Sequence, residues 1–463
     1  MEFLQQLYRW VWGVPTLILI LSLGCYLSLR TGFAQLRLFP NALKLFFSRL
    51  SASDANQTGV SSFQALCTAL AATVGTGNLA GVAGALSIGG PGAIFWMWLC
   101  GLLGMVIKFA EAILAIRFRI QNAAGEWVGG PMYMIKMGLP KGFWPMAWAY
   151  AFFGVIAAFG VGNATQINTV ISSVSHTAAS FGWTMPLWGK LALGFLLAAL
   201  IGAMLLGGAK NIGRAAEILV PFAAALYLLL GCVVLIARWQ AIPQAFMSII
   251  TGAFSPRAVT GGLVGSVLVA LRTGVSRGVF TNEAGMGTAS IAHASAAVKH
   301  PVEQGMMGIV EVFLDTIVIC TMTALVILVS GVPIVYGTDA DIGLTTAAFC
   351  RVMGPWVSVL ITLSLCLFAI ATVLGWGLYG LRCAQFLFGG GAWKVFAYLQ
   401  ILTIILGSVL RTEMVWLLAE IINGLMAVPN LIALGALSPQ LISIYKSYLN
   451  GGSYENFHQC QSL

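Results

Sequence analysis

Eleven apolar stretches recur along this chain, roughly at 14–30, 62–86, 91–118, 143–174, 187–207, 216–237, 258–296, 305–331, 353–381, 395–411 and 414–436. A bilayer core about 30 Å thick takes about 20 apolar residues per helix, so stretches of this length predict membrane-spanning helices. Charge agrees: 8% of the 463 residues are charged and 59% are hydrophobic, whereas a soluble domain carries charge on about a quarter of its residues. The expected fold class is an all-α polytopic membrane protein with about eleven transmembrane helices.

The net charge of +9 raises the question of nucleic acid, and its distribution answers it. Arg30, Arg37, Lys44, Arg49, Arg117, Arg119, Lys136, Lys141, Lys210, Arg214, Lys299, Arg382, Lys394 and Lys446 fall on one side of the span map; Arg9, Lys190, Arg238, Arg257, Arg351 and Arg411 fall on the other. The positive-inside rule makes the richer side cytoplasmic, with the N-terminus outside and the C-terminus inside. The basic excess is topological, and no nucleic-acid partner is expected. Residues 1–13 show no small-residue cleavage site, which predicts a retained first helix. Segment 31–50 mixes Phe and Leu with spaced Arg and Lys and reads as a helix in the cytoplasmic interface. The nine cysteines contain no CxxC pair and the four histidines show no metal spacing.

Two apolar stretches are spoiled from within. The first, "ATVGTGNLAGVAG" at 72–84, holds four glycines around Thr-Gly-Asn; the second, "RTGVSRGVFTNEAGMGTAS" at 272–290, adds two arginines and a glutamate. Non-helical backbone at membrane depth is tolerated only where it lines a cavity or binds something. The breaks are expected near Gly77 and Phe280, in the second and seventh spans. Five spans apart, they define two units of opposite topology, the arrangement of inverted-repeat secondary transporters. The expected organisation is an N-terminal helix and interfacial segment (1–60), a first five-helix repeat (61–237), a second, inverted one (238–436) and a cytoplasmic tail (437–463).

Helix ends supply the chemistry. The half-helix after the first break presents the N–H groups of Gly77 and Asn78 to a carboxylate. The half-helix before it leaves carbonyls around Ala72, Thr73 and Gly75 as hard oxygen ligands for a small cation. Thr73, Thr76, Asn78, Thr281 and Asn282 add neutral oxygens. An anionic group beside a cation describes a symporter of amino acids or carboxylates. The competing reading of such glycine-rich stretches is close helix packing.

The blocks "SSFQALCTALAATVGTGNLAGVAGAL" (61–86), "GGPGAIFWMWLCGLLGMVIKFAEAILAIRFR" (89–119), "GGPMYMI" (129–135) and "RGVFTNEAGMGTASIAHA" (277–294) resemble the alanine or glycine:cation symporter family, across essentially the whole chain. The resemblance implies a leucine-transporter-like fold, a bacterial inner-membrane location, and symport of small neutral amino acids with Na+ as the coupling ion and no other cofactor. It also implies substrate contacts from Thr76, Gly77, Asn78, Gln166, Phe280, Thr281, Thr372 and Trp376. Leu79, Thr281 and Met134 depart conservatively from the family pattern.

Weighed singly, Gln166 is a mid-helix amide that either contacts substrate or bonds to another helix. Trp376, between two glycines, either caps a small side chain or simply packs. Thr372 lies one turn earlier on the same face and either completes a sodium shell with carbonyls of Ala72, Thr73 and Gly75 or bonds to its own helix. Glu111 is expected to pair with Lys108, Glu311 to lie near cytoplasmic water, and Arg272, Arg277 and Glu283 to form gating or structural ion pairs, with proton coupling through Glu311, Asp315 or Glu283 left open. No Walker sequence is present to bind ATP. A channel, a membrane hydrolase using His293 and a transport-dead sensor are the rival classes; no obligate protein partner is indicated.

Overall fold

The computed structural model describes residues 2–11, 13–51, 60–123, 125–262, 266–410 and 412–452; Arg411 and the end of the expected tail lie outside them. The helices run α1 (Glu2–Val11), α2 (Val14–Arg30), α3 (Ala34–Arg37), α4 (Phe39–Ser51), α5 (Ser62–Thr73), α6 (Val82–Gly89), α7 (Gly92–Arg117), α8 (Pro131–Gly138), α9 (Trp144–Phe159), α10 (Thr165–Ser180), α11 (Leu187–Leu206) and α12 (Gly208–Ala237). They continue as α13 (Ile242–Phe254), α14 (Pro256–Thr260), α15 (Val267–Asn282), α16 (Thr288–His293), α17 (Pro301–Val312), α18 (Thr321–Ser330), α19 (Ile342–Met353), α20 (Val357–Phe388), α21 (Ala392–Gly407) and α22 (Thr412–Leu449). Three π turns join consecutive helices, at Gly77–Gly81 before α6, Gly160–Ala164 between α9 and α10, and Phe313–Cys320 between α17 and α18.

Seven helices among the described residues are long and apolar enough to cross a bilayer, and the bent pair α5/α6 makes eight. The remaining expected spans are built from shorter pieces: α2, α21 and the α15/α16 pair. Segment 31–50 is helical, as α3 and α4. The stretch expected at 258–296 is divided among α14, α15 and α16, and the amphipathic helix α13 precedes it. The last helix does not stop near 436: α22 passes Pro429 and Pro439 to Leu449, taking in the start of the expected tail.

The first helix break falls where the sequence places it, and the second does not. Phe280 and Thr281 sit in the last turn of α15, and the chain leaves the helix at 283–287. The glycines nearer Phe280 serve packing: Gly274 lies against the backbone of Ala93, and a Cβ on Gly278 would stand 3.2 Å from that of Cys100. They let α15 close onto α7, the small-residue contact of membrane helices.

The two broken helices pack on each other and on longer ones: α15 on α6 and α7, and α5 on α12, α16 and α20. α7 packs against α15 and α17, and α20 against α5, α9, α10 and α12. Four two-residue strands are described: β2 (Ile120–Gln121) pairs antiparallel with β3 (Trp127–Val128), and β1 (Val60–Ser61) pairs in parallel with β4 (Ala296–Ala297), tying the residues leading into α5 to those following α16.

Candidate functional site

The first break is made by its own residues. Ser61 caps α5 through a reciprocal box with Gln64; α5 ends at Thr73, and Val74 turns extended (φ −78°, ψ 98°). Asn78 then holds the opening: its Oδ1 accepts from the Gly75 amide at 2.9 Å, and its own amide N–H donates to the Gly75 carbonyl at 3.3 Å. The axis bends by 51° across this point. A helix end leaves its last carbonyls without intrahelical partners, and here they face protein interior.

α20 and α10 converge on that opening. A Cβ built on Gly75 would stand 2.7 Å from Thr372 Oγ1 and 3.6 Å from Gln166 Oε1, so only glycine lets backbone, hydroxyl and amide oxygens meet here. Thr372 donates to the Phe368 carbonyl at 2.9 Å, and Thr73 donates to the Ala69 carbonyl at 3.2 Å. Both hydroxyls thus spend their proton on their own helices and keep lone pairs outward. Gln166 donates from Nε2 to the Val161 carbonyl at 3.1 Å, while its Oε1 and the Thr76 hydroxyl are buried without a hydrogen-bond partner. Buried polar atoms are nearly always satisfied, and these two unpartnered oxygens lie beside one break. Ala72 packs on Gly375, holding α20 against the end of α5.

Phe280 and Thr281 face the break from α15: both would be met, at 3.4 and 3.5 Å, by a Cβ on Gly77. Thr281 donates to the Gly278 carbonyl. Trp376, 1% exposed, lies one turn from Thr372, with Gly162 of the π turn before Gln166 against it. The eight residues expected to contact substrate therefore lie together around the two breaks, in contacts between α5/α6, α10, α15 and α20. Asn78 is the exception in availability, because its Nδ2 donates to Asp315 Oδ1 at 2.7 Å and its Oδ1 is taken by Gly75. Its side chain builds the break, and its backbone N–H is spent on the Gly75 carbonyl, so the donor expected to meet a ligand at Asn78 is engaged within the break itself.

The second break depends on distant residues. Glu283 (φ 53°), Gly285 (φ 92°) and Gly287 (φ 79°) all take the left-handed conformation. The Gly285 and Gly287 amides both donate to Glu111 Oε1 at 3.0 Å, and Asn430 Nδ2 donates to the same oxygen at 2.8 Å and to the Gly285 carbonyl at 2.9 Å. Glu111 therefore does not pair with Lys108. Lys108 reaches Glu311 at 3.3 Å, both fully buried, so Glu311 is not in water. Glu311 also accepts from His293 Nε2 at 2.8 Å, while His293 Nδ1 accepts from Gln304, whose Oε1 accepts from Ser62 at 2.7 Å. This chain links the base of the first broken helix to the base of the second. Arg277 pairs with Asp339 at 2.8 Å and Glu420 at 3.3 Å, whereas Glu283 takes neutral donors.

Sequence reasoning missed the roles of Glu111 and Asn430. The signal was available only as an isolated ionisable or amide group inside an apolar run, which does not name its partner. Two surface clefts of about 270 and 280 Å³ flank His176 at the end of α10, away from the breaks.

A sequence model described as the sodium:alanine symporter family matches residues 1–459. The chain belongs to the sodium:alanine symporter family. The family is one of transporters, not enzymes. The sodium/alanine symporter AgcS of Methanococcus maripaludis is 44% identical over 441 residues, 95% of each chain. An uncharacterised transporter of Haemophilus influenzae is 41% identical over 464 residues, covering 99% of this chain and 98% of its own. Among solved structures, MhsT in complex with L-phenylalanine superposes with a TM-score of 0.54 at 15% identity, over 84% of this chain and 99% of that one. That likeness makes the fold leucine-transporter-like, and the family membership makes the function amino-acid symport.

Proposed function

We propose that the protein is a sodium-coupled symporter that imports small neutral amino acids, alanine and glycine, by alternating access. Eleven spans arranged as a helix plus two inverted five-helix repeats would carry it in a bacterial inner membrane, N-terminus outside and C-terminus in the cytoplasm. The observation that carries this reading is the meeting of Thr372 Oγ1 and Gln166 Oε1 at the Gly75 backbone.

Carbonyls of Ala72, Thr73 and Gly75 with the Thr372 hydroxyl offer Na+ the neutral oxygen shell that hard cations take. The substrate carboxylate meets the Gly77 amide at the start of the second half-helix, its ammonium meets the buried oxygens of Thr76 and Gln166, and Phe280, Thr281 and Trp376 enclose the side chain. Bound Na+ fixes Thr372 against the first break and so shapes the substrate pocket beside it. The rigid bundles then rock around the site.

A proton-coupled reading has one specific support. Asp315 is fully buried at membrane depth and accepts from Asn78 Nδ2 and the Thr316 hydroxyl, both neutral, and intramembrane acids of this kind serve in proton relays.

The test is uptake of radiolabelled alanine into proteoliposomes with an inward Na+ gradient, against choline at equal membrane potential. Accumulation that requires Na+ and is lost in Thr372→Ala supports the proposal. Accumulation driven equally by a proton gradient moves the coupling to Asp315. No accumulation under either gradient, in folded protein, overturns alanine symport.

A further inference from the structure

We propose that Glu283 is a positioning residue that fixes the Trp376 indole over the substrate side chain and thereby sets the size limit of the site. The inference rests on the reading of the chain as a carrier of small neutral amino acids.

An indole N–H is a donor with no acceptor role, and a buried one is costly to leave unpaired. Trp376 donates Nε1–H to Glu283 Oε1 at 3.0 Å. The other carboxylate oxygen accepts from the Thr288 hydroxyl at 2.5 Å, so neither oxygen is free to turn away. The Glu283 backbone is held as firmly: its amide donates to the Val279 carbonyl at 2.8 Å, and its carbonyl accepts from Met286 at 3.1 Å. A left-handed glutamate (φ 53°) is uncommon, and such positions persist where surrounding contacts over-determine them.

On its far side the indole meets Gly162, and the Tyr379 ring stands edge-on at 5.7 Å. The ring is therefore bounded by the backbone near Gln166 on one side and by the second helix break on the other. Its orientation is set at the Glu283 end, where the one directional bond is made. Without that bond the indole can turn about its side-chain torsions, and the space it denies to longer side chains opens.

The experiment compares uptake of alanine and leucine by wild type, Glu283→Ala, Glu283→Gln and Trp376→Phe. Glu283→Ala is expected to lower the alanine-to-leucine ratio by about tenfold, the scale on which a hydrophobic pocket discriminates side-chain size. Glu283→Gln keeps an acceptor for the indole and keeps the wild-type ratio. Trp376→Phe, lacking the N–H, relaxes the ratio as Glu283→Ala does, and combining the two adds nothing further. An unchanged ratio in Glu283→Ala overturns the inference. If Glu283→Ala does not fold, Glu283→Leu, which keeps the bulk and removes both acceptors, decides in its place.

Wild-type protein that transports neither amino acid defeats the underlying reading instead. The positioning claim is then judged by fluorine NMR of 5-fluorotryptophan-labelled protein, with the Trp376 signal assigned by its loss in Trp376→Phe. A signal that moves in Glu283→Ala and returns in Glu283→Gln supports it, and one indifferent to both overturns it.

Discussion

Lys108 is an ammonium with no exposure, and its charge partner is Glu311, 3.3 Å away on α17. Removing one member of a buried pair leaves the other uncompensated and costs about 3–5 kcal/mol, whereas replacing both is far milder. Lys108→Met should therefore lower the thermal midpoint of the purified protein strongly, and Lys108→Met with Glu311→Gln should recover most of the loss. Equal midpoints for the single and double variants would show that the pair carries no such coupling. From sequence, Lys108 has Glu111 one turn away, and helical proximity suggests the wrong partner. The choice is made by α17, and by two break amides and Asn430, which together offer Glu111 three donors. The place of the first break was legible because its glycines and the Asn78 contact to Gly75 lie within one segment, whereas the bond from Asn78 to the distant Asp315 was not.

At the scale of elements, one break is written into its own segment and the other is imposed on it. Around Gly77 a capped helix ends in extended Val74. Around Gly285 the amides of Gly285 and Gly287 donate to Glu111 on α7, and Asn430 on α22 donates to that carboxylate and to the Gly285 carbonyl, which no local pattern reveals. Gly274 and Gly278, which look like breakers, pack α15 on α7. The break at 283–287 is accordingly sensitive to added side chains. A Cβ on Gly285 would meet Leu431 at 2.8 Å, and a left-handed L-residue costs roughly 1–2 kcal/mol. Gly285→Ala should lower the unfolding free energy by at least that amount, read as a lower denaturation midpoint. At the first break, Gly75→Ala should act on the cation rather than on stability: its methyl would press on Thr372 Oγ1, 2.7 Å away. The half-saturating Na+ concentration for uptake should rise by about tenfold or more, the loss of roughly one charge-assisted contact. An unchanged Na+ dependence would remove Thr372 from the proposed ion site.

Over the whole molecule, the two broken helices are fastened at both ends. At one end β1 pairs with β4, and Ser62, Gln304, His293, Glu311 and Lys108 form their buried chain. At the other, Arg277 on α15 spans Asp339 and Glu420, and Ser87 at the end of α6 receives the amide N–H groups of Gly337 and Ala340. Arg277→Ala should unfasten that end alone, raising the labelling rate of a cysteine placed at Thr281 by a membrane-impermeant reagent added on the side of the membrane where that end lies. An unchanged rate would show that Arg277 does not restrain access.

The β1 and β4 pairing also orders events during synthesis. Val60 and Ser61 leave the ribosome more than two hundred residues before Ala296 and Ala297, their partners. At about 5–20 residues per second, the first broken helix waits on the order of ten to fifty seconds with its lead-in unpaired. Glu111 waits longer still for Asn430. The first half of the chain is thus inserted as an unfinished half-site, which only the second half can close.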